Sequence, residues 1–234
     1  MYSIQERIGA SRTDPNGILK LSEAANMIQD CSLFWLESEP SFQDFITANN
    51  LGLLITSRQI DIVRLPMYKE KVTVQTRVYD IKSFVGYRNT IMTDENNEPC
   101  ILTWSTGVLL RLNSNRVARF PQEEAAKIII DQKADMPYLD RKITCCVDEG
   151  KALPAIPVRR SDIDSYNHMN NAKYLEVSLE LIPEDFPVKR VRIEYRSSAK
   201  PGDLLHPIII SKDEKQYIIL TDANKSPYTI TEFS

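Results

Sequence analysis

The feature that most limits how this chain can fold is an internal repeat. Thr93-Asp94-x-Asn96-x-x-Pro99 reappears as Thr221-Asp222-x-Asn224-x-x-Pro227, four identities in seven positions. Ile60-Asp61 precedes Tyr68-Lys69-Glu70 as Ile193-Glu194 precedes Pro201-Gly202-Asp203. Asp14 stands in a turn-rich loop ahead of one helical stretch, and Asp164 stands ahead of a second. Three landmarks in one order indicate a duplicated unit, so each half must bury an apolar face with the same plan of elements.

Hydrophobic spacing supplies that plan. Leu21, Ala24, Ile28, Cys31 and Trp35 recur at helical period and predict one amphipathic helix over 18–37. Ser41 with Asp44 is a candidate capping box for a shorter helix ending near Asn49-Asn50. Alternation then predicts strands at 53–63, 72–78, 86–93 and 100–112. The second half reads as a strand and turn over 158–167, a helix over 171–182 and strands at 191–196, 204–211, 217–221 and 228–233. The expected class is α+β: two tandem halves, each a helix wrapped by a curved antiparallel sheet. The halves are placed at 1–120 and 153–234, joined over 121–152 by a segment with a short helix.

With 234 residues the chain is long enough for two small cores. A net charge of −3 gives no global pull toward nucleic acid or an anionic membrane. No apolar run approaches a membrane span, and Met1 to Gly9 contains no apolar targeting core, so the expected compartment is the cytosol. Cys31, Cys100, Cys145 and Cys146 fit neither a zinc site nor a redox pair and read as reduced thiols. The only histidines are His168 and His206, so neither a metal nor an organic cofactor is called for.

Chemistry concentrates in Arg159-Arg-Ser-Asp-Ile-Asp-Ser-Tyr-Asn-His-Met-Asn-Asn-Ala-Lys-Tyr174. It joins a strand to a helix start, where free backbone N–H groups and the helix dipole favour negative charge. A thioester carbonyl placed there would be polarised and its oxyanion held. A carboxylate four residues before an imidazole is suited to activating water. Asp and Asn ahead of helices are ordinary caps, and His is common in turns. The cluster exceeds that role, because capping uses one or two such residues.

The segment Ser161 to Glu176 resembles the signature of the acyl-acyl-carrier-protein thioesterases. Ile8 to Asp14 and the helix after it are similar to that family's N-terminal hot dog. Leu53 to Pro66 and Val191 to Asp203 sit where the family has long central strands. The resemblance implies a double hot-dog fold and hydrolysis of fatty acyl thioesters on acyl carrier protein to free fatty acid. It also implies catalysis by a loop with Asp, then Asn two places on, then His two further. Asp164 and His168 match; Tyr166 stands at the Asn position, and Asn167 follows one place late. The Glu-Cys pair of plant members is replaced here by Ser198 and Ala199. The expected catalytic set is therefore Asp164, His168 and Asn167, with Asn170, Asn171, Tyr166 and Ser198 at the substrate. Glu194 and Glu176 are candidate substitutes for the missing Glu, and Arg190, Arg192 and Arg196 are candidate receivers of an acidic carrier. A coenzyme A thioesterase and a non-catalytic acyl-binding protein are the rival readings, and a homodimer is left open.

Overall fold

The computed structural model describes residues 1–145 and 149–234, so Cys146 of the thiol reading lies outside the described residues. The chain forms two compact units, Met1–Tyr138 and Leu139–Ser234. The stretch read as connecting the halves is thus shared between them.

In the first unit β1 (Tyr2–Arg7) leads to α1 (Leu21–Phe34) and α2 (Pro40–Ala48). Then follow β2 (Leu51–Ile62), β3 (Lys71–Lys82), β4 (Val85–Thr93), β5 (Pro99–Arg111), β6 (Arg116–Ala118) and the single turn α3 (Gln122–Ala125). The strands pair antiparallel in the order β1-β3-β4-β5-β2, with β6 on β5. Alternation puts Val74, Met92 and Ile101 side by side, all fully buried. The Cys31 thiol of α1 donates to the Val74 carbonyl at 3.3 Å, so this row faces the helix. The helix stops short of residue 37 because its last turn tightens into a 3-10 turn over Trp35–Ser38. The Ser41–Asp44 capping box does not form: Pro40 occupies the first turn of α2, and Glu39 is the cap residue.

The opposite sheet face is covered by residues 131–138. Asn89, fully buried, accepts from the Ala134 N–H (3.1 Å) and the Tyr138 hydroxyl (3.0 Å) and donates to the Thr103 carbonyl (3.0 Å). Gln59 donates to the Pro137 carbonyl at 2.8 Å. Tyr138 also stacks edge-on against Trp104, with ring centres 5.3 Å apart.

The second unit holds β7 (Lys151–Ala152), β8 (Ile156–Pro157), α4 (Asn171–Leu179), β9 (Arg190–Tyr195), β10 (Leu204–Lys212), β11 (Lys215–Thr221) and β12 (Pro227–Phe233). Its order is β9-β12-β11-β10, with β7 and β8 both pairing β10. Residues 139–145 cover part of its sheet. Arg192 pairs with Glu232 at 3.0 Å and donates to the carbonyls of Asp140 and Lys142. Glu194, 6% exposed, accepts from the Ile143 N–H and pairs with Arg196. Ile143 packs into a cluster with Ile208, Ile210, Ile219 and Ile230. Gly150 lies so close that an added Cβ would fall 2.2 Å from Ile208.

The duplication is visible in the hydrogen bonds themselves. Asp94 Oδ1 accepts from the N–H groups of Asn96 and Glu98 at 2.9 and 3.0 Å. Asp222 Oδ1 accepts from those of Asn224 and Ser226, each at 2.8 Å.

Substituting Asn89→Ala removes three hydrogen bonds, two of them to groups of buried residues, Ala134 and Thr103. We expect a stability loss of about 3 kcal/mol, read as a lower urea midpoint at unchanged slope. An unaltered midpoint would mean that the ring contacts and the Gln59–Pro137 bond suffice to hold residues 131–138.

Candidate active site

The polar stretch before α4 is pinned by its charged residues before it offers any to a ligand. Asp162, 3% exposed, accepts from the Arg159 N–H at 2.8 Å and pairs with the Arg159 guanidinium at 3.0 Å. Its carbonyl receives the Asn170 N–H at 2.8 Å. Asp164 Oδ1 accepts from the Tyr166 N–H at 2.9 Å and the His168 N–H at 3.3 Å. The Asp164 N–H in turn donates to the His168 carbonyl at 2.8 Å. The loop is therefore a closed turn with a carboxylate at its centre, as aspartate side chains favour.

Asn167 lies in that turn at φ 61°. Few residues adopt this left-handed backbone; Gly and Asn are the usual ones. The turn by itself is a sufficient reason for an asparagine at this position. Asn170 caps α4, its side chain accepting from the Ala172 N–H at 2.8 Å. The Asn171 N–H has no hydrogen-bond acceptor among the described residues, so one amide at the helix start stays available to an oxyanion.

The loop is fastened to the segment after β9. The Met169 N–H donates to the Ala199 carbonyl at 2.9 Å, and the Ala199 N–H donates to the Tyr174 hydroxyl at 2.7 Å. Ser198 is thereby carried beside the loop, half-buried. The sequence reading missed Tyr174 as a fastener, because a tyrosine on the apolar face of a helix has no distinguishing mark. Burial drives its hydroxyl well above the usual tyrosine range, so it stays neutral.

The first unit builds the same loop without the chemistry. Asp14 Oδ1 accepts from the N–H groups of Asn16 and Ile18 at 2.9 and 2.8 Å. Gly17 takes the left-handed place at φ 78°. The Leu19 N–H donates to the Pro66 carbonyl at 2.8 Å, as Met169 does to Ala199. Position by position, Ile18 stands where the second unit has His168. The loop geometry therefore needs the aspartate but not the histidine. The His168 imidazole is half-buried and makes no hydrogen bond among the described residues. Tyr166, 64% exposed, points its ring to solvent.

The substitutes considered for the missing Glu are both engaged. Glu194 holds residue 143 and Arg196, as above. Glu176 pairs with Lys173 at 2.6 Å and lies 3.9 Å from Arg159. Arg192 and Arg196 are likewise engaged, with Glu232 and Glu194, Arg192 largely buried and Arg196 exposed. Among the described residues no group of three or more His, Cys, Asp or Glu side chains is arranged to hold a metal.

Two family models match, the acyl-ACP thioesterase N-terminal domain over residues 2–128 and its C-terminal domain over 148–227. The chain belongs to the acyl-ACP thioesterase family. It is 22% identical to an oleoyl-acyl carrier protein thioesterase of Arabidopsis thaliana, over 90% of this chain and 63% of that protein. It is 25% identical to a palmitoyl-acyl carrier protein thioesterase of Gossypium hirsutum, over 70% of this chain and 42% of that protein. The chain spans less than two thirds of the length of the curated relatives it matches. An acyl-ACP thioesterase of Bacteroides thetaiotaomicron superposes at TM-score 0.89 with 19% identity, covering 99% of this chain and 96% of that one. A 12:0-ACP thioesterase of Umbellularia californica does so at 0.82 with 17% identity, covering 100% and 96%. The fold is the double hot dog of this family.

The turn explanation of Asn167 is directly testable. Asn167→Gly should shift stability by no more than about 0.5 kcal/mol, whereas Asn167→Val should lower it by about 1–2 kcal/mol, both read by thermal unfolding. A glycine variant that folds normally but loses hydrolysis would return Asn167 to the chemistry.

Proposed function

We propose that the protein hydrolyses fatty acyl thioesters of acyl carrier protein to free fatty acid, with His168 as the acid–base group. The observation that carries this reading is the difference between the two loops. Both share one aspartate-centred frame, and only the second sets an uncommitted imidazole on it. Family membership supplies the substrate class.

The chemistry runs as follows. His168 takes a proton from water as its oxygen attacks the thioester carbonyl carbon. The carbonyl oxygen becomes an oxyanion, and the Asn171 N–H with the start of the α4 dipole is suited to hold it. The C–S bond then breaks, and the thiolate of the carrier's pantetheine arm leaves with the proton from His168. Asp164 keeps the loop closed through Oδ1; its Oδ2, which makes no hydrogen bond among the described residues, is free to orient the water. Asn170, Tyr166 and Ser198 border the same loop and are assigned to the substrate. Buried Cys31, its thiol pushed up to about 11 by desolvation, is an unreactive thiol. Reduced Cys31 and Cys100 suit the cytosol as the compartment. No helix among the described residues is long and apolar enough to cross a membrane.

Asp164→Asn and His168→Ala should each reduce kcat by on the order of a hundred-fold, and the double variant little further, since groups acting as one unit are not additive. Asn at 164 still accepts the two loop amides, so its fold should persist. A wild-type kcat with stability lowered by about 1 kcal/mol would leave both as turn residues. Matched carrier-protein and coenzyme A thioesters decide the substrate: faster carrier turnover is expected. Binding of both without hydrolysis would favour the rival acyl-binding protein, which the changes at Tyr166 and Ser198 keep open.

A further inference from the structure

Exposed apolar and basic residues gather at one end of the first unit's sheet. β5 runs past its pairing with β4 and turns back as β6, with Leu110 opposite Val117 and Arg111 opposite Arg116. Alternation puts Leu110 and Val117 on one face and the two arginines on the other. The Leu112 side chain joins the apolar face, since a Cβ added at Gly52, opposite Leu110, would lie 2.9 Å from it. Every residue from 111 to 117 is exposed, so both faces of this tip stand clear of the layers that cover the sheet. The turn joining β3 to β4 is tied to the chain just after β6, where the Phe120 N–H donates to the Ser83 carbonyl at 2.7 Å. Phe84 in that turn is 48% exposed, as open as Leu112 at 51% and Val117 at 49%.

Charge is equally one-sided there. Residues 99–121 carry Arg111, Arg116 and Arg119 and no acidic residue, in a chain whose net charge is −3. Among the described residues none of these three guanidinium groups has a hydrogen-bond or ion-pair partner. Arg12, Arg64, Arg159, Arg192 and Arg196 each pair with a carboxylate. On the neighbouring hairpin residues 81–93 hold no acid either, and Asp80 before them is taken up by Lys82 at 3.3 Å. The next acids, Glu123 and Glu124, follow in α3, the latter paired with Lys127 at 2.7 Å. A local patch of this kind escapes the chain's overall charge balance.

Unpaired cations call for an anionic surface, and apolar side chains held in water call for burial. Three half-exposed side chains on a narrow tip offer far less than the roughly 800 Å² that each partner of a stable protein interface buries. A bilayer surface needs no matching shape. Its anionic headgroups attract arginines, while apolar side chains enter the boundary between headgroups and acyl chains. We propose that the β5–β6 tip and the adjoining β3–β4 turn form a docking surface for anionic phospholipid membranes. Arg111, Arg116 and Arg119 meet the headgroup phosphates, and Phe84, Leu112 and Val117 dip into the boundary. The surface lies within the first unit and draws on no residue of the catalytic loop.

Flotation of the full chain with lipid vesicles tests this. Binding is expected on phosphatidylcholine vesicles that contain roughly one-third phosphatidylglycerol, little on phosphatidylcholine alone, and raised salt should reduce it. Arg111→Gln, Arg116→Gln and Arg119→Gln together should weaken it on the order of a hundred-fold, about five-fold for each charge. Leu112→Ser should weaken it about ten-fold. Phe84→Trp should add an emission that shifts to the blue on the anionic vesicles alone. All these positions are exposed, so an unchanged thermal midpoint is the expected control. Absence of binding to the anionic vesicles, or binding that the triple variant retains, overturns the proposal. So does a dimer in solution that Leu112→Ser dissolves, or an acidic carrier protein held by the arginines with no vesicle bound. The readout needs no turnover, so failure of the thioesterase reading would leave this one standing.

Discussion

A carboxylate that accepts two backbone N–H groups, two and four residues further along, organises this chain. It occurs at Asp14, Asp94, Asp164 and Asp222, each time through Oδ1. In every case the residue three places on is left-handed: Gly17, Asn97, Asn167 and Lys225, at φ 78°, 63°, 61° and 63°. The turn is set by chemistry local to five residues and needs nothing from the rest of the fold. Two of these turns lead into α1 and α4, and two reverse the chain between strands. They fix where each half starts its helix and where it folds its sheet back. Asp164 is one of four equivalents, so its place in the loop speaks for structure first. His168 has no equivalent: Ile18, Glu98 and Ser226 hold that place in the other three.

This explains what was legible beforehand. The Thr-Asp-x-Asn repeats and the two loop aspartates were readable because their partners lie within four residues. The long helix was readable because Leu21, Ala24, Ile28 and Cys31 mark one face, and all four are buried. Its end was not, since Trp35 fits the helical period yet falls in a tighter turn that packs its ring with Phe42 and Arg88. The coverings over the sheets escaped notice for a related reason. Asn89 and Gln59 are separated from residues 134–138 by more than forty positions, and no periodicity reports such pairings. Strand alternation assigned Arg192 to a solvated face, yet Glu232 and two distant carbonyls absorb it.

The halves also differ in what they bury. The helix-facing side in the second unit joins Val191, Ile193 and Phe233 to threonines, with no charged group in that row. The first unit sets guanidinium and hydroxyl groups in the corresponding layer. Duplication thus preserved the turns while the interiors and the loop chemistry went separate ways. One copy kept a histidine, and the other kept the buried Arg58 and the half-buried Arg88.

The two coverings are consecutive in sequence, residues 131–138 for the first sheet and 139–145 for the second. A cut that separated the copies would have to pass through or beside this stretch. Ending the first half before residue 131 bares Trp104, and starting the second after residue 145 bares the isoleucines beneath Ile143, whereas a cut between Tyr138 and Leu139 leaves each cover on its own sheet. Duplication alone does not say where such a chain can be divided. Here the break must fall between Tyr138 and Leu139, where one covering ends and the other begins, and a few residues to either side it takes the lid off one sheet.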